Sequence, residues 1–295
     1  MNVVVNGGTG WLGIATIRAL KKFENLGKLE IFSSDGRKFQ AHDLGEFSSK
    51  PLSYLNQVDF NVDVFVNLAF KTRDYISVLG EEEYTKSNLE IISKSLSLAR
   101  SLKPKSIVLV SSGVVARNMA SGGKLDKTEY TRLKIIEEDS FAQLAEEVGS
   151  NLVILRMWGG TGRDLISPFK YAIGDLIKQA LLYKYVDIES NYLVFRRYSD
   201  ASQQIEIALN CALNGTNMIF DSGGEIIEIG ELANRIVEVV KMPTMIRRGK
   251  LVNDFKDEYF STSDKFETMA LNFGIKLFDL EEQIEETLLS VKRAL

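Results

Sequence analysis

The stretch that decides the fold is Val3-Val4-Val5-Asn6-Gly7-Gly8-Thr9-Gly10-Trp11-Leu12-Gly13. A short β-branched run ends in a glycine cluster, and a helical pattern of apolar residues follows from Leu12 to Phe23. Glycine lets the chain turn tightly, and the positive end of a following helix attracts phosphate. Strand, glycine turn and helix in this order predict a pyrophosphate-binding turn, with Gly7, Gly10 and Gly13 at the three glycine positions.

Three glycines at this spacing also occur in ordinary turns. Here they lie between an apolar strand and an amphipathic helix, which is the context that dinucleotide binding needs. We therefore predict that the turn and the first helical residues contact a dinucleotide. The predicted cofactor contacts from this stretch are Gly7, Thr9, Gly10, Trp11, Leu12 and Gly13.

Outward from this turn, short apolar runs alternate with longer helical patterns through the first half of the chain. Strands that are apolar along their whole length indicate a sheet covered on both faces. The alternation therefore predicts an α/β fold with a parallel, doubly wound sheet. The strand-like runs are Val3 to Val5, Leu29 to Phe32, Val64 to Asn67, Ile107 to Val110 and Leu152 to Leu155. The helical patterns are Leu12 to Phe23, Glu82 to Ser101 and Lys127 to Glu147.

The texture of the sequence changes in the second half of the chain. The glycine-rich segment Gly159 to Gly162 is followed by mixed elements, including a strand pattern at Asn217 to Phe220 and a helical pattern at Ile229 to Val240. These elements predict a smaller second lobe. We expect the first domain to cover residues 1-158 and the second lobe residues 159-295, with some segments of the latter returning to the first domain.

The composition excludes several classes of protein. The 295 residues are 45% hydrophobic and 26% charged with four prolines, which is too apolar for a disordered chain. A net charge of -4, from 36 basic and 40 acidic residues, does not favour a nucleic-acid or membrane partner. Because Cys211 and His42 are the only residues of their types, neither an internal disulfide nor a structural zinc site is expected. With no signal-like start and no apolar run of about 18 residues, we expect a cytoplasmic protein without a metal.

The segment after the second predicted strand bears on which dinucleotide is bound. Phe32 is followed by Ser33-Ser34-Asp35-Gly36-Arg37-Lys38. An acidic residue at this strand end selects the ribose hydroxyls of NAD, whereas cations suit the additional phosphate of NADP. Ser33, Ser34 and Arg37 favour NADP, and Asp35 keeps NAD as the alternative. A solvated turn that contacts neither cofactor is equally open at this point.

Tyr130 and Lys134 are four residues apart, so on a helix they lie on the same face. A nearby ammonium makes a phenol a stronger acid, and such a tyrosine can exchange a proton near neutral pH. A single pair of this kind also arises by chance at exposed positions. Here Ser111 and Ser112 follow a predicted strand directly, where parallel sheets bind their ligands. Ser112, Tyr130 and Lys134, together with the glycine turn, predict a site that moves a proton alongside a hydride.

Together these motifs resemble the extended short-chain dehydrogenase/reductase family, in particular its NAD(P)-dependent epimerase/dehydratase branch, which acts mainly on nucleotide sugars. The resemblance runs nearly end to end. It rests on the glycine turn, on Ser111-Ser112-Gly113-Val114-Val115 and on Tyr130 with Lys134. It implies a Rossmann-type dinucleotide-binding domain, followed by a lobe that mainly binds substrate.

The resemblance implies a role for each matching residue. Ser112 would bind the reacting oxygen of the substrate, Tyr130 would transfer the proton, and Lys134 would hold the nicotinamide ribose. Asn88 would support the lysine. Further cofactor contacts are implied at Asp43 and Leu44 beside the adenine, and at Leu68 and Ala69 where a strand ends.

The chain departs from the family in the region that faces the substrate. Ala116 stands where many members have a tyrosine, and Gly159 stands where an asparagine is usual. Arg197 is the substrate-binding candidate, although its stretch Arg196-Arg197-Tyr198-Ser199-Asp200 fits the family's strand only in a shifted register. The identity of the sugar therefore cannot be copied from the family.

The resemblance implies an NAD(P)-dependent oxidoreductase acting on a nucleotide-linked sugar, and 4-keto reduction with Tyr130 as proton donor is the first expectation. An epimerase with tightly held NAD would use the same residues. A dehydratase is less favoured, because no carboxylate lies beside Ser112 in the sequence. The alternative of a different class is a sensor or scaffold that binds NAD(P) without turnover.

The resemblance also implies two partners, a nucleotide-sugar substrate and a second copy of the chain. Helices that match Glu82 to Ser101 and Lys127 to Glu147 commonly pair between the subunits of homodimers in this family. The chemistry of the branch suggests a place in polysaccharide biosynthesis or in the synthesis of glycosylated metabolites. No nucleic-acid or membrane partner is expected.

Overall fold

The computed structural model describes residues 1–252 and 255–295, and for residues 55–57 it describes the backbone only. These residues form two compact units. Unit 1 comprises Met1–Met157 and Ile205–Asp221, and unit 2 comprises Trp158–Gln204 and Ser222–Leu295. The chain thus returns once to unit 1 after it has entered unit 2.

The elements are numbered in chain order. The strands are β1 (Val3–Asn6), β2 (Leu29–Ser33), β3 (Lys38–Gln40), β4 (Glu46–Ser48), β5 (Lys50–Pro51), β6 (Val64–Asn67), β7 (Ser106–Ser112), β8 (Asn151–Met157), β9 (Gly160–Thr161), β10 (Tyr185–Ile188), β11 (Leu193–Asp200), β12 (Met218–Asp221), β13 (Glu225–Glu228), β14 (Met245–Arg248) and β15 (Lys256–Tyr259). The α-helices are α1 (Trp11–Leu20), α2 (Ile76–Leu79), α3 (Glu81–Leu102), α4 (Gly113–Ala120), α5 (Glu129–Val148), α6 (Ala172–Leu182), α7 (Ala201–Leu213), α8 (Ile229–Val240), α9 (Lys265–Asn272) and α10 (Leu280–Ala294).

Unit 1 is built on a seven-stranded parallel sheet in the order β12-β8-β7-β6-β1-β2-β5. The predicted α/β fold with a parallel, doubly wound sheet is confirmed. Val4, Phe65 and Leu109 from the strands are buried in one cluster with Phe141 and Leu144 of α5. Helix packing against the sheet explains why its strands are apolar along their length.

The periodicity of the sequence located the elements of unit 1 well. Each of the five strands predicted in the first half is present, and its ends lie within two residues of the prediction. The three predicted helices are α1, α3 and α5. The largest difference is at the end of α1, which stops at Leu20 rather than Phe23.

The carboxyl ends of the central strands lie at one edge of this sheet. Asn6 of β1 is in register with Asn67 of β6, and Asn67 is in register with Leu109 of β7. Strand β7 continues three residues further, to Ser112. The glycine turn, the segment after β6 and Ser112 therefore emerge at the same edge, where parallel sheets bind ligands.

The strand predicted at Asn217 to Phe220 was grouped with the second lobe, but it belongs to unit 1, within the segment that returns there. It is β12, and it pairs with β8 in the sheet of unit 1, with Phe220 opposite Leu155. The physical reason is that β8 would otherwise present a row of unpaired backbone groups. An apolar strand pattern does not reveal which neighbour the strand will pair with.

Unit 2 is smaller and mixed. Strand β11 pairs antiparallel with β13 and parallel with β9 and β15, and β10 pairs with β14. Its core contains Ile173 and Ile177 of α6, Ile236 of α8 and Ile284 of α10. The helix predicted at Ile229 to Val240 is α8, with the same bounds. Among the helices of the described residues, none is both long and apolar enough to cross a membrane.

Candidate active site

The glycine turn between β1 and α1 is closely packed. Gly7 has a φ of +81°, and a Cβ there would lie 2.7 Å from the backbone nitrogen of Ala69. A Cβ at Gly13 would lie 2.1 Å from the carbonyl oxygen of Gly8. Gly7 is therefore required by both conformation and contact, and Gly13 is required by contact.

Gly10 differs from the other two glycines, because the space beside it is open. Its φ is -82°, and among the described atoms a Cβ there would meet only the carbonyl oxygen of Gly7, at 3.7 Å. Gly10 is the N-cap of α1, where no side chain caps the helix and the first turn carries no acidic residue. The positive end of α1 and the open space beside Gly10 fit the pyrophosphate of a dinucleotide.

In the turn after β2, the predicted cofactor residue Ser33 makes hydrogen bonds within the turn. The Ser33 hydroxyl is buried, lies 2.8 Å from the Ser49 hydroxyl and accepts a hydrogen bond from the Gly36 N–H at 3.2 Å. Ser33 thus holds the shape of the turn. The exposed residues of the turn, available to a ribose or its phosphate, are Ser34, Asp35 and Arg37.

The other predicted cofactor contacts lie in two places. Asp43 and Leu44 belong to a 3-10 turn, His42–Leu44, and Arg18 of α1 donates hydrogen bonds of 2.6 and 3.0 Å to the Asp43 carboxylate. Leu68 and Ala69 follow β6 directly, against Gly7. The structure therefore brings the segment after β6 to the glycine turn and places Asp43 at the last turn of α1.

Lys134 and Tyr130 meet around one aromatic ring. The Lys134 side chain is buried, and its Nζ lies 4.0 Å from the centre of the Phe70 ring. Tyr130 approaches the same ring edge-on, with 5.8 Å between ring centres. Lys134 Nζ also donates a hydrogen bond of 3.2 Å to the carbonyl oxygen of Val110. The predicted helical pair therefore shares one face of α5, at the end of β7.

Ser112 is both the last residue of β7 and the N-cap of α4. It is buried, and its hydroxyl accepts a long hydrogen bond of 3.5 Å from the Val114 N–H. Val110, which accepts the bond from Lys134, precedes it by two residues. The neighbouring Ser111 hydroxyl is buried and has no hydrogen-bond partner within the described parts of the chain. Two buried hydroxyls thus lie at the strand end beside the lysine.

Asn88 contacts the chain next to Phe70 rather than Lys134. Its side-chain oxygen accepts a hydrogen bond of 2.8 Å from the Lys71 N–H, and its side-chain nitrogen donates to the Lys71 carbonyl at 3.3 Å. Asn88 is fully buried in α3. It therefore fixes the backbone that carries the Phe70 ring.

Glu137, one turn after Lys134, is a site residue that the motif reasoning missed. Its carboxylate accepts hydrogen bonds of 2.8 Å from Lys134 Nζ and 3.1 Å from Asn67 Nδ2. Burial raises the pKa of Glu137, while Lys134 and Asn67 oppose that rise. Lys134, Glu137 and Phe141 are spaced as one helix face, so a carboxylate in a buried stripe was the available signal.

Arg197, the predicted substrate contact, lies in unit 2 and is held from several sides. Its guanidinium donates to the carbonyl oxygens of Gly224, Ser261 and Ser263 at 2.8, 2.6 and 2.7 Å, and to the Glu267 carboxylate at 2.7 Å. Four of the five N–H groups of an arginine are thereby used within unit 2. Arg197 stabilises the connection between β11, β13 and the start of α9.

Unit 2 also contains a cavity of about 940 Å³. It lies between α6, β10 and the start of β11, and its walls include Lys178, Tyr185, Tyr192 and Arg196. Arg196 donates a hydrogen bond of 2.6 Å to the Asp257 carboxylate. In residues 1–252 and 255–295, no group of three or more His, Cys, Asp or Glu side chains could hold a metal ion.

Comparisons with known proteins found the fold in solved structures. No protein-family model matches the sequence, and no curated protein matches it. UDP-N-acetylglucosamine 4-epimerase from Methanobrevibacter ruminantium M1, solved with UDP-N-acetylmuramic acid, superposes with a TM-score of 0.76 at 18% identity, over 100% of this chain and 99% of that chain. The chain has the fold of this epimerase.

Two further structures widen the comparison. UDP-glucose 4-epimerase from Thermus thermophilus, solved in complex with NAD, has a TM-score of 0.73 at 16% identity, and both chains are covered completely. An NAD-dependent NDP-hexosamine 5,6-dehydratase of tunicamycin biosynthesis has a TM-score of 0.73 at 14% identity, over 100% of this chain and 98% of that chain. The same fold therefore carries more than one reaction on nucleotide sugars.

Proposed function

We propose that this chain is an NAD(P)-dependent enzyme of the extended short-chain dehydrogenase/reductase family that modifies a nucleotide-linked sugar. The observation that carries the proposal is the arrangement around Phe70, where Tyr130 and Lys134 meet the same ring. The Lys134 ammonium is bonded to the carbonyl of Val110, two residues before Ser112. A proton donor, an ammonium and a hydroxyl thus belong to one sheet edge, which also carries the glycine turn.

The residues at this edge fit a dinucleotide. The open space at Gly10 and the positive end of α1 would hold the pyrophosphate, and Lys134 would hold the nicotinamide ribose. A bound nicotinamide would supply or accept the hydride. Asp43 and Leu44 remain the proposed adenine contacts, and Leu68 and Ala69 the proposed contacts after β6.

The turn after β2 bears on the choice between the two dinucleotides. Asp35 suits the ribose hydroxyls of NAD, whereas Arg37 suits the additional phosphate of NADP, and both are exposed. Solved structures of this fold contain NAD. They do not support the NADP preference expected from the sequence, and we infer NAD first.

Tyr130 and Ser112 carry the proton chemistry in this proposal. The phenol exchanges a proton with the reacting oxygen of the sugar, and the Ser112 hydroxyl holds that oxygen in place. The Ser112 hydroxyl makes only the 3.5 Å contact to Val114 N–H among the hydrogen bonds of the described residues of unit 1, so it can donate its own proton to a ligand. Asn88 acts indirectly, because it fixes the backbone beside Phe70.

Epimerisation is the reaction that the comparisons favour. Several solved structures with this fold are UDP-sugar 4-epimerases. The 4-keto reduction expected from the sequence uses the same residues and is the second candidate. It is favoured by the exposed Arg37, because a reductase exchanges its cofactor in each turnover and an NADPH phosphate would bind that cation.

The cavity of unit 2 is a candidate for binding a nucleotide in its own right. The Tyr192 ring offers a surface on which a base can stack, whereas the Tyr185 ring is covered by the Arg247 guanidinium at 3.3 Å. Lys178 and Arg196 bring positive charge to the wall and are paired with Asp175 and Asp257. Arg197 is the weaker candidate for direct contact, since four of its N–H groups already bond within unit 2. Its role as a substrate contact remains a prediction.

The experiment that tests the proposed function is identification of the nucleotide that the purified protein carries, by mass spectrometry after denaturation. Retained NAD supports an epimerase that recycles its cofactor internally. NADPH that binds weakly and exchanges supports the reductase, which is then assayed with 4-keto sugar nucleotides. A protein that neither carries nor binds NAD(H) or NADP(H) contradicts the proposal.

Tyr130→Phe is the matching variant for turnover. It removes the proton donor and keeps the ring that packs against Phe70. We expect kcat to fall by about 10² to 10⁴, the usual contribution of a positioned acid or base, with the Kd for NADH unchanged. Full activity of this variant on the nucleotide sugar would rule out Tyr130 as the proton donor. A wild-type protein that binds NADH but turns over no nucleotide sugar would favour the sensor instead.

A further inference from the structure

Glu137 stands out among the buried charged residues of unit 1, because it pairs with the lysine of the candidate site. Glu137 is 1% exposed, and its carboxylate lies 2.8 Å from Lys134 Nζ. We propose that Glu137 is a positioning residue that fixes the Lys134 ammonium and ties it to the ends of β1 and β6. This inference rests on the function proposed above, in which Lys134 holds the cofactor ribose.

The first support is the direction of the hydrogen bonds. Lys134 Nζ donates to one Glu137 oxygen, and Asn67 Nδ2 donates to the other at 3.1 Å. Asn67 Oδ1 in turn accepts from Asn6 Nδ2 at 2.9 Å, and Asn6 Nδ2 also donates to the Ser95 hydroxyl at 2.8 Å. Both Glu137 oxygens therefore accept hydrogen bonds from N–H donors, an arrangement that favours the ionised carboxylate.

The second support is where the chain of bonds leads. Asn6 is the last residue of β1 and precedes Gly7, and Asn67 is the last residue of β6 and precedes Leu68. The two asparagines are in register. The bonds from Glu137 therefore run to the two strand ends that carry the proposed cofactor contacts, so the position of the ammonium is set relative to the glycine turn.

Third, the contacts of the Lys134 ammonium restrict its rotation. Of its three N–H donors, one bonds the Val110 carbonyl and one bonds Glu137, while the Phe70 ring lies against the charge. The two hydrogen bonds thereby fix the direction of the third donor. A lysine without Glu137 would keep only the Val110 bond and could rotate about it.

The charged groups around this pair leave Glu137 as the partner that neutralises Lys134. Glu138 on the same helix is paired with Arg156 of β8 at 2.6 Å. Tyr84 of α3 is fully buried, and burial raises its pKa, so it stays uncharged. Tyr130 contacts the same Phe70 ring as Lys134, and Asn67 from β6 is neutral. Loss of the Glu137 charge would leave a buried ammonium without a counter-ion.

The test compares Glu137→Gln with a matched control, Glu138→Gln. Both glutamates are buried in α5 and ion-paired, but Glu138 pairs with Arg156 instead of Lys134. Lys134 and Asn67 donate to different oxygens of Glu137, and a glutamine replaces one of these oxygens with an NH2 donor, so one of the two hydrogen bonds is lost. The readouts are the thermal midpoint of each full-length protein and the Kd for NADH, measured by calorimetry between about pH 6 and about pH 10.

We expect both variants to lower the thermal midpoint, and only Glu137→Gln to change cofactor binding. Its Kd for NADH should rise about tenfold, the effect typical of a lost partner around a ligand-holding group. The dependence of its NADH affinity on pH should also differ from that of the wild type, because the variant lacks the carboxyl group that contacts the Lys134 ammonium. Glu138→Gln should keep the wild-type Kd and the wild-type pH dependence.

The outcomes separate this inference from the proposed function. A wild-type protein that binds no dinucleotide overturns the proposed function itself. Wild-type binding with an unchanged Kd and pH dependence in Glu137→Gln overturns the positioning role and leaves the function standing. If Glu137→Gln does not fold, Asn67→Ala tests the same link, because it removes one donor to Glu137 and keeps the ion pair. An NADH affinity equal to the wild type in that variant would then overturn the tie between Glu137 and the ends of β1 and β6.

Discussion

At the scale of single residues, the glycine turn separates two functions that its sequence motif presents as one. Gly7 has a positive φ and lies against the backbone of Ala69, so its lack of a side chain is needed for the fold. Gly10 has an ordinary φ and open space beside it, so its lack of a side chain is available for a ligand. In this motif of three glycines, at least one position is needed for the fold and one leaves open space.

This difference predicts opposite behaviour for two alanine substitutions. Gly7→Ala should lower the free energy of unfolding by about 1 to 3 kcal/mol, the cost of one strained residue, because its Cβ would lie 2.7 Å from Ala69 N. Gly10→Ala should keep the stability of the wild type and weaken NADH binding at least tenfold, because its methyl group enters the proposed phosphate space. Urea denaturation and calorimetry measure the two effects. Unchanged NADH affinity in Gly10→Ala would contradict the pyrophosphate assignment.

Glu137 shows at the same scale what motif matching leaves out. Tyr130 and Lys134 are recognisable in the sequence because their spacing is a known pattern. Glu137 belongs to no pattern of this kind, yet it accepts the shorter of the two hydrogen bonds from Lys134. A carboxylate in a stripe of buried helix positions requires a partner, and the nearest cation one turn earlier was Lys134.

At the scale of elements, the amino ends of three parallel strands are tied together by Asp63. Its carboxylate accepts a hydrogen bond of 2.7 Å from the N–H of Asn2, which precedes β1, and lies 2.7 Å from Nζ of Lys105, which precedes β7. The hydrogen bond from Lys105 and that from Asn2 lower the pKa of Asp63 below its ordinary value of 3.8. The ionised carboxylate is therefore the form that stabilises this end of the sheet.

This lowered pKa predicts a pH-dependent effect of Asp63→Asn. A carboxyl whose pKa falls on folding contributes stability above its unfolded pKa and loses it as the pH falls through the folded value. We expect the wild type to be more stable than the variant by about 1 kcal/mol at pH 7, since Asp63 is a partly exposed ion pair. The difference should shrink below about pH 3.8. Urea titrations at pH 7 and at pH 3 measure it, and a difference that grows in acid would refute the assignment.

At the scale of the whole molecule, unit 1 is not one continuous stretch of the chain. The segment Ile205–Asp221 lies in the second half of the sequence but belongs to unit 1. It contributes the edge strand β12 and the buried residues Ile205 and Leu209. Ser106 of β7 also donates a hydrogen bond of 2.7 Å to the carbonyl of Ala212. Unit 1 is therefore incomplete without this segment.

This organisation predicts that a fragment of residues 1–157 does not fold as a stable domain. Without β12, the edge of β8 presents unpaired backbone groups, and the apolar surface that Ile205 and Leu209 cover is exposed. We expect the fragment to melt without a cooperative transition and to bind a hydrophobic dye, whereas the full-length chain melts cooperatively. Circular dichroism and dye fluorescence measure this. A fragment that melts cooperatively at the full-length midpoint would show that the returning segment is dispensable.

The parts of the molecule that follow from local patterns were predictable from the sequence. Fully apolar runs between helical patterns located five parallel strands and three helices, because a sheet covered on both faces requires apolar side chains along each strand. The glycine turn and the spacing of Tyr130 and Lys134 were likewise visible, because both depend on neighbours within one turn or one helix. The turn after β2 carries both Asp35 and Arg37, so this local pattern does not separate NAD from NADP, and no local pattern separates reduction from epimerisation.

What the sequence by itself determined was therefore the fold class, the glycine turn and the shared helix face of Tyr130 and Lys134. Only the tertiary structure decided that β12 pairs with β8 and that Ser33 and Arg197 make hydrogen bonds inside their own units. It also decided that Asn88 bonds the backbone beside Phe70 and that Glu137 pairs with Lys134. The reason is physical. Periodicity and spacing record which residues share a face of one element, whereas pairing, burial and hydrogen bonding depend on which distant segments meet that face.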